Sequence, residues 1–345
     1  MAKFNKQISL GYDPITGARI RVWIHADSKT ALKQAEKDAI AEHARSGTPS
    51  QVKFKDYQDQ WFKAYKGNVE PRTKATYQSV LKYTEPLHRK KMKDITRTDL
   101  QKTINELWDK PEMCAKYISL IRHMWRTAVG DGICSKDITL GLNLPKHSKS
   151  TRRPLREAEL DAIPKADFTT MEQFLVDVLL QFGLRPGEAL ALNTMAFNKA
   201  DRTLTIDKAV SYNGNSPYIK STKTGVVRVL PVPDSFWPKI PETKELYYFM
   251  VDGQLMTQSQ SNAMSNSIIH KINIAMGGNS HIRLTDMTLY NFRHHKASTL
   301  YYLPGVSIKK KAQYMGHSEE MFLRTYSHMM EEKEDTEALR AVTNL

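Results

Sequence analysis

A basic segment without hydrophobic periodicity, residues 144–155 (LPKHSKSTRRPL), divides the chain into two differently patterned halves. Its two prolines, two serines and one threonine are typical of a loop. We therefore expect a linker between separate domains, and the length of 345 residues suggests two or three of them. The five basic side chains of the segment either follow a phosphate backbone or only keep a connector solvated.

The first half begins with a predicted β-hairpin and continues as helices. Residues 7–12 and 19–24 have a β-like composition and are joined by the turn sequence DPITG. Ser28 is a candidate N-cap for a helix that ends near Gly47. Beyond it, apolar residues recur at helical spacing for about a hundred residues, which predicts a compact bundle of four short helices. Five aromatic residues of this stretch are expected in its core: Phe54, Tyr57, Trp61, Phe62 and Tyr65.

The second half mixes helices and strands. A buried helix is predicted over residues 174–192, with a break at residues 183–187, and β-like segments follow at 203–210 and 218–232. From residue 262 onward the pattern is again mainly helical. The predicted fold class is multidomain α+β: a small β-sheet plus helix at the N terminus, an all-α helical bundle, and a mainly α domain with a small β-sheet.

Charge is concentrated in the first half. The chain has 51 Lys and Arg against 37 Asp and Glu, a net charge of +14. Residues 1–150 hold 28 against 16, or +12, whereas residues 151–345 hold 23 against 21, or +2. A field of one sign favours a polyanionic partner such as nucleic acid, and a basic surface without a partner is the alternative.

Several protein classes are excluded by what the sequence lacks. It has no run of roughly 18 apolar residues, and residues 1–10 lack the apolar stretch of a signal peptide. We therefore expect a cytoplasmic protein without a membrane partner. Cys114 and Cys134 are too few for a disulfide framework or a four-ligand zinc site, so no metal is expected and both are interpreted as small apolar residues in a reducing compartment.

Four short motifs in the second half contain polar residues where a core helix or a turn does not need them. In the first, Arg185 is followed by Pro-Gly and then by Glu188, a spacing that suggests a planar cation held by a supporting acid at a helix start. In the second, Lys223 lies at the tip of a predicted β-hairpin (KTGVVRVLP).

The other two motifs lie near the C terminus. Tyr290 and Arg293 are i and i+3 on a predicted helix and so share one face. His317 follows Gly316, and Tyr326 comes nine residues later.

In order and spacing, these motifs resemble those of the tyrosine recombinases, or phage-type integrases. That family has an R-x-G-E box, a K-x-x-x-x-R-x-x-P hairpin, an H/K-x-x-R-H box, and then G-H with a tyrosine nine residues on. The helical half is similar to the core-binding domain of these enzymes, and the first segment to their small arm-site-binding domain. The resemblance therefore covers essentially the whole chain.

The resemblance also implies domain boundaries. Residues 1–50 would form an arm-site DNA-binding domain with a three-stranded sheet plus helix, and residues 51–145 a core-binding helical domain. Residues 146–154 would be the linker, and residues 155–345 the catalytic tyrosine recombinase domain.

The family's catalytic roles pass to the matching positions. The resemblance makes Tyr326 the nucleophile that forms a 3′-phosphotyrosyl link and Lys223 the general acid for the 5′-oxygen. Arg185 and Arg293 would bind the non-bridging phosphate oxygens, because a planar guanidinium can donate two parallel hydrogen bonds. His317 would donate to the same phosphate, and Glu188 would orient the site. Such chemistry needs no cofactor, because the covalent link conserves the bond energy.

One position departs from the family pattern. Three residues before Arg293, where the family usually has histidine, this chain has Tyr290. A phenol can donate a hydrogen bond to a phosphate oxygen, but it is a poor proton acceptor near neutral pH. We therefore expect Tyr290 to act as a hydrogen-bond donor. His294 and His295 follow Arg293 and are expected to point elsewhere.

The resemblance implies a site-specific DNA recombinase that integrates and excises a prophage or an integrative mobile element. Its partners would be double-stranded DNA core and arm attachment sites, three further copies in a homotetramer, an excisionase and a host DNA-bending protein. It would act at the nucleoid of a bacterial or phage-infected cell. The expected DNA-binding residues are Arg19, Arg21, Arg72, Lys74, Arg152 and Arg153.

Two other functions fit parts of the sequence. A DNA-binding protein without cleavage activity would use the same basic first half for repression or site occlusion. A type IB topoisomerase-like enzyme would share the tyrosine chemistry.

Overall fold

A computed structural model describes residues 4–12, 19–46, 52–146, 153–222 and 225–326. The chain separates into two compact units, Met1–Lys149 and Ser150–Leu345. Their boundary falls inside the predicted linker, of which residues 147–152 lie outside the described part. Within the described residues, none of the helices has the length and apolar character needed to cross a bilayer.

The first unit begins with an antiparallel pair of strands and a helix: β1 (Phe4–Tyr12), β2 (Arg19–Ala26) and α1 (Lys29–Ser46). Ile8, Ile20 and Ile24 are buried on the face of the pair that packs against α1. The Ser28 hydroxyl accepts a hydrogen bond from the Ala31 amide, so the predicted N-cap is confirmed. The predicted turn lies outside the described residues, and residues 4–12 and 19–46 contain no third strand.

The rest of the first unit is a helical bundle. Its α-helices within residues 52–146 are the four predicted: α2 (Phe54–Lys66), α3 (Pro71–Leu81), α4 (Arg97–Asn105) and α5 (Pro111–Gly130). Short 3₁₀ helices at Lys82–Leu87 and Met92–Asp94 connect α3 to α4. Thr96 and Asp99 form a reciprocal capping box, which fixes the start of α4.

The core of the bundle contains most of the predicted aromatic residues. Phe54 stacks on Trp125 with ring centroids 5.8 Å apart, and Trp61 is fully buried. The prediction was wrong for Tyr65, which is 50% exposed. It lies in the last turn of α2 and stacks on the outer side of Trp61 instead of entering the core.

The second unit is mainly helical. Its α-helices are α6 (Glu157–Ala162), α7 (Thr170–Phe182), α8 (Pro186–Leu190), α9 (Gln258–Ala275), α10 (Leu289–Tyr302), α11 (Ile308–Met315) and α12 (Glu319–Tyr326). The predicted break between α7 and α8 is confirmed: α7 ends at Gly183, whose φ of 63° is left-handed, and Pro186 begins α8. This break carries the Arg185 backbone away from the core helix.

The strands of the second unit form small antiparallel sheets. They are β3 (Phe197–Asn198), β4 (Thr203–Ile206), β5 (Lys208–Asn213), β6 (Ser216–Ser221), β7 (Arg228–Pro231), β8 (Met250–Val251) and β9 (Gln254–Leu255). The order β3-β4-β7 makes a three-stranded sheet, while β5 pairs with β6 and β8 with β9. The register Ile206↔Arg228 brings the start of β7 beside the end of β4.

Two apolar clusters hold this unit together. The larger one surrounds α7, whose residues Phe174–Leu179 and Phe182 are almost all fully buried, and α10 packs across this helix. A smaller cluster joins α10, α11 and α12 through Ala297, Ala312, Met315 and Phe322. The helix α10 belongs to both clusters, because Phe292 lies in the larger one and Ala297 in the smaller one.

Candidate active site

Arg185 occupies the turn between α7 and α8, and Glu188 holds it there. The Arg185 amide donates to Glu188 Oε2 at 2.9 Å, and Arg185 Nη1 donates to Glu188 Oε1 at 2.7 Å. Arg185 Nη2 donates to the Gly316 carbonyl at 3.1 Å. The guanidinium is therefore fixed by one carboxylate and one main-chain carbonyl, and it is partly exposed.

Arg293, on α10, is 3% exposed and is held mainly by backbone carbonyls. Its Nη1 donates to the Gly183 carbonyl at 2.8 Å, and its Nη2 donates to the Met315 carbonyl. Burial, together with the neighbouring Arg185 guanidinium, lowers the pKa of Arg293 to about 9, so the group stays charged at neutral pH. A buried cation with so little freedom is preorganised for an anion.

His317 follows the left-handed cap of α11 at Gly316 and contacts Arg293. Its Nε2 lies 2.9 Å from Arg293 Nη2. A guanidinium only donates, so Nε2 is the acceptor and Nδ1 carries the hydrogen. Burial and the nearby arginines lower the pKa of His317 to about 3, so the ring is neutral at working pH. Nδ1 is buried without a hydrogen-bond partner among the described residues.

Arg228, at the start of β7, is a further member of the site that the sequence analysis missed. It is buried, donates to Glu188 Oε2 at 2.5 Å through Nη2, and donates to the Tyr314 carbonyl at 3.0 Å through Nη1. The K-x-x-x-x-R-x-x-P hairpin pattern includes this arginine, which is the signal that could have identified it.

Glu188 lies at the centre of three guanidiniums. Besides Arg185 and Arg228, Arg293 Nη1 is 3.9 Å from its Oε2. Burial alone would raise the pKa of Glu188, but the charges of Arg228, Arg293 and Arg185 outweigh it and the pKa is lowered. Three cations and one carboxylate give this cluster of described residues a net charge of +2. That charge suits an anion such as a phosphodiester.

Tyr326, in the last turn of α12, is only 1% exposed and lies beside the arginine cluster. Its ring stacks on His317 with centroids 6.3 Å apart and packs on Phe322 at 5.1 Å. Its hydroxyl lies 3.2 Å from Nδ1 of His294. The prediction that His294 points away from the site was wrong.

Helix geometry explains the position of His294. It lies i+4 from Tyr290, so it shares the face of α10 that Tyr290 and Arg293 define. The prediction rested on the place of His294 directly after Arg293, which does not reveal this spacing. The four-residue step from Tyr290 was the available signal.

Comparisons with known proteins agree with this architecture. Residues 53–108 match the family model described as phage integrase, N-terminal SAM-like domain. The probable integrase of prophage ps2 from Lactococcus lactis subsp. lactis (strain IL1403) is 23% identical over 223 residues. The chain is therefore similar in sequence to phage-type integrases. The match spans 58% of this chain and 58% of that relative.

Solved integrase structures share the fold, and the predicted α+β class is confirmed. The Tn1549 transposon integrase in complex with a circular intermediate DNA is 18% identical, with a TM-score of 0.66 over 79% of this chain and 94% of that chain. The lambda integrase dimer bound to a COC′ core site is 18% identical, with a TM-score of 0.64 over 91% of this chain and 90% of that chain.

The structure does not test the roles predicted for two of the site residues. Lys223 lies outside the described residues, so its role stays a prediction. Tyr290 lies in the first turn of α10 but is 53% exposed, and within residues 225–326 it makes no hydrogen bond to Arg293 or His317. Its role as a donor to phosphate also stays a prediction.

The predicted DNA-binding residues fall into three groups. Arg19 and Arg21 are exposed on the face of the β1–β2 pair opposite the isoleucines, and Arg72 is exposed in the first turn of α3 with Lys74 half-buried beside it. Arg152 lies outside the described residues. Arg153 donates two hydrogen bonds to Glu159 and one to Asp286, so it links the start of α6 to the segment before α10, and its contact with DNA stays a prediction.

Proposed function

We propose that this chain is a site-specific DNA recombinase of the integrase type, which cleaves and rejoins DNA through a 3′-phosphotyrosyl intermediate. The observation that carries the proposal is the convergence of Arg185, Arg293 and His317 beside the Tyr326 ring. A protein that only binds DNA needs no tyrosine next to a buried cluster of cations.

The charge of the cluster fits the reaction. When an oxygen attacks a phosphodiester in line, negative charge grows on the non-bridging oxygens, and preorganised donors stabilise it. Arg185 and Arg293 have forked donors for those oxygens, and Glu188 with Arg228 keeps the first of them oriented. His317 is neutral, so it offers a hydrogen bond without adding a charge.

Cleavage then exchanges one phosphate ester for another. Oη of Tyr326 loses its proton and forms a bond to phosphorus, while the bond from phosphorus to the 5′-oxygen breaks. Lys223 supplies the proton that the departing 5′-oxygen requires. Rejoining is the reverse attack by a 5′-hydroxyl of the partner strand, so no cofactor or energy source is consumed.

In this proposal the first unit contributes mainly to DNA binding, and the second unit carries the residues that cleave and rejoin the DNA. The basic first unit would contact core sites through its helical bundle and arm sites through the exposed face of β1 and β2. Lambda integrase has been solved as a tetramer bound to a Holliday junction, at 17% identity and a TM-score of 0.60 over 91% of each chain. By analogy we propose four copies on two DNA sites in the bacterial cytoplasm, with an excisionase and a host DNA-bending protein setting direction.

The decisive experiment is covalent trapping on DNA from the ends of the element that encodes the chain. A suicide substrate, nicked so that the cleaved end diffuses away, should accumulate a protein–DNA adduct. Tyr326→Phe should form no adduct but bind the DNA with unchanged affinity, whereas Tyr247→Phe, outside the site, should react like the wild type. If the wild type forms no adduct, the function is DNA binding alone.

A second measurement, relaxation of supercoiled DNA, distinguishes a recombinase from a type IB topoisomerase-like enzyme. A recombinase should join two attachment sites and leave unrelated supercoiled DNA largely intact. Relaxation of any supercoiled plasmid at a comparable rate would favour a type IB topoisomerase-like activity instead.

A further inference from the structure

The contact between His294 and Tyr326 has no counterpart among the roles assigned above. Nδ1 of His294 lies 3.2 Å from the Tyr326 hydroxyl, the ring centroids are 6.0 Å apart, and both side chains are buried. The hydroxyl oxygen is the atom that would attack phosphorus. A basic nitrogen within hydrogen-bond distance of that atom is placed to take its proton.

We infer that His294 accepts the phenolic proton of Tyr326 as the tyrosine attacks the phosphate, an inference that rests on the proposed recombinase function. The proton moves from Oη to Nδ1, the Oη–phosphorus bond forms, and the 5′-oxygen leaves with the proton from Lys223. His294 thereby takes a proton-accepting role on α10 for which Tyr290, at the position of the family's usual histidine, is poorly suited.

Other described side chains near the tyrosine are worse acceptors. His317 already uses Nε2 to accept from Arg293, and its pKa is lowered to about 3, so it has little affinity for a second proton. Glu188 is engaged by Arg185 and Arg228. Tyr290 is an exposed phenol, and a phenol is a weak base near neutral pH.

The position of His294 on α10 also suits the reaction. It is adjacent in sequence to Arg293, a proposed ligand of the phosphate, and both residues belong to one helix whose interior packs on α7. The distance between the bound phosphate and the proton acceptor is therefore set by one rigid element.

The test is single-turnover cleavage of the suicide substrate by the full-length protein with His294→Ala and His294→Asn. Asparagine keeps a hydrogen-bonding atom near the position of Nδ1 but cannot accept a proton. Loss of proton transfer typically costs about 10²-fold or more, so both variants should cleave at least that much more slowly. Unchanged DNA affinity and thermal unfolding would show that the variants are folded.

His295→Ala and His295→Asn are the matched controls. His295 lies about 100° further round the helix, so these variants should cleave at the wild-type rate. Added imidazole should accelerate His294→Ala and leave His295→Ala unchanged. If His294→Asn cleaves at the wild-type rate, the inference is overturned and the contact only positions Tyr326. If His294→Ala cleaves faster than the wild type, the contact only restrains Tyr326.

A DNA substrate with a 5′-bridging sulfur tests whether His294 accepts the proton of Tyr326 or donates a proton to the leaving group. If the 5′-bridging oxygen is replaced by sulfur, the leaving thiolate needs no proton, because a thiol is far more acidic than an alcohol. The His294 variants should remain slow on this substrate, and recovery of the wild-type rate would instead place His294 on the leaving group. If the wild type forms no covalent adduct, the proposed recombinase function is wrong. If the wild type forms the adduct and the His294 variants cleave at the same rate, the proposed function stands and only the role of His294 is wrong.

Discussion

Arg228 donates a 2.5 Å hydrogen bond to the Glu188 carboxylate, and both side chains are almost completely buried. Glu188 in turn receives Arg185 on its other oxygen. A buried arginine on a β-strand therefore orients Arg185, to which the proposed function assigns the phosphate, through the carboxylate that both arginines contact. Arg228 is a positioning residue, and its effect passes through Glu188.

Arg228→Lys should weaken both folding and cleavage. A lysine keeps the charge but has one nitrogen, so it cannot bond Glu188 and the Tyr314 carbonyl with the same geometry. We expect a loss of about 1–3 kcal/mol in the free energy of unfolding, measured with urea, and slower adduct formation. Arg202→Lys alters an exposed pair with Asp234 and should change stability by less than about 0.5 kcal/mol. Equal effects of the two substitutions would contradict the role of Arg228.

His317 should make folding stability depend on pH. Its pKa is about 3 in the folded protein and near its ordinary value of 6.5 in the unfolded chain. As the pH falls from about 6.5 toward 3, the unfolded chain takes up a proton that the folded protein does not, so stability is lost by up to about 1.4 kcal/mol per pH unit. Urea unfolding at pH 7 and pH 5 should show a smaller loss for His317→Gln than for the wild type. His281→Gln, on an exposed loop, should keep the full loss.

Gly183→Ala should be more harmful than a glycine substitution at an open position. A Cβ at residue 183 would lie 2.8 Å from Cβ and Cγ of Lys296, in a backbone with a φ of 63°. Gly253 has a similar φ of 70° but open space around it, so Gly253→Ala should cost only about 1–2 kcal/mol of backbone strain. Gly183→Ala should cost about 1–3 kcal/mol more in urea unfolding and slow cleavage, because Arg293 bonds the Gly183 carbonyl. Similar losses for both variants would show that Lys296 simply moves aside.

The exposed face of the β1–β2 pair should contribute to DNA affinity through phosphate contacts. Arg21 lies there opposite Ser9, beside Trp23, which is 59% exposed. Arg21→Ala should weaken binding to arm-type DNA and reduce the slope of log affinity against log salt concentration by about 1. Lys33→Ala removes the same charge from the exposed side of α1 and should leave the slope unchanged. The assignment of this face fails if both variants give the same slope.

Local patterns were sufficient to predict most elements of the fold. The α7–α8 break could be predicted because Gly183 and Pro186 act on their immediate neighbours. The helical spacing of Phe54, Tyr57 and Trp61 likewise identified a buried face. In both cases the signal and the structure that it determines lie within one or two helical turns.

What the sequence did not reveal depends on contacts between distant residues. Arg228 and Glu188 are 40 positions apart, and Arg153 reaches Asp286 across 133 positions. No local sequence pattern predicts which buried carboxylate an arginine will contact. His294 is different: its i+4 relation to Tyr290 was visible, but its significance required the position of α12.

The guanidiniums of this site rest largely on peptide carbonyls, those of Gly183, Tyr314, Met315 and Gly316. A carbonyl belongs to every residue type, so at Tyr314 and Met315 the support does not depend on which side chain is present. What must be inherited is the path of the main chain through the two left-handed glycines. Most side chains around the arginines can therefore change in evolution while the carbonyl groups that orient the guanidiniums stay in place.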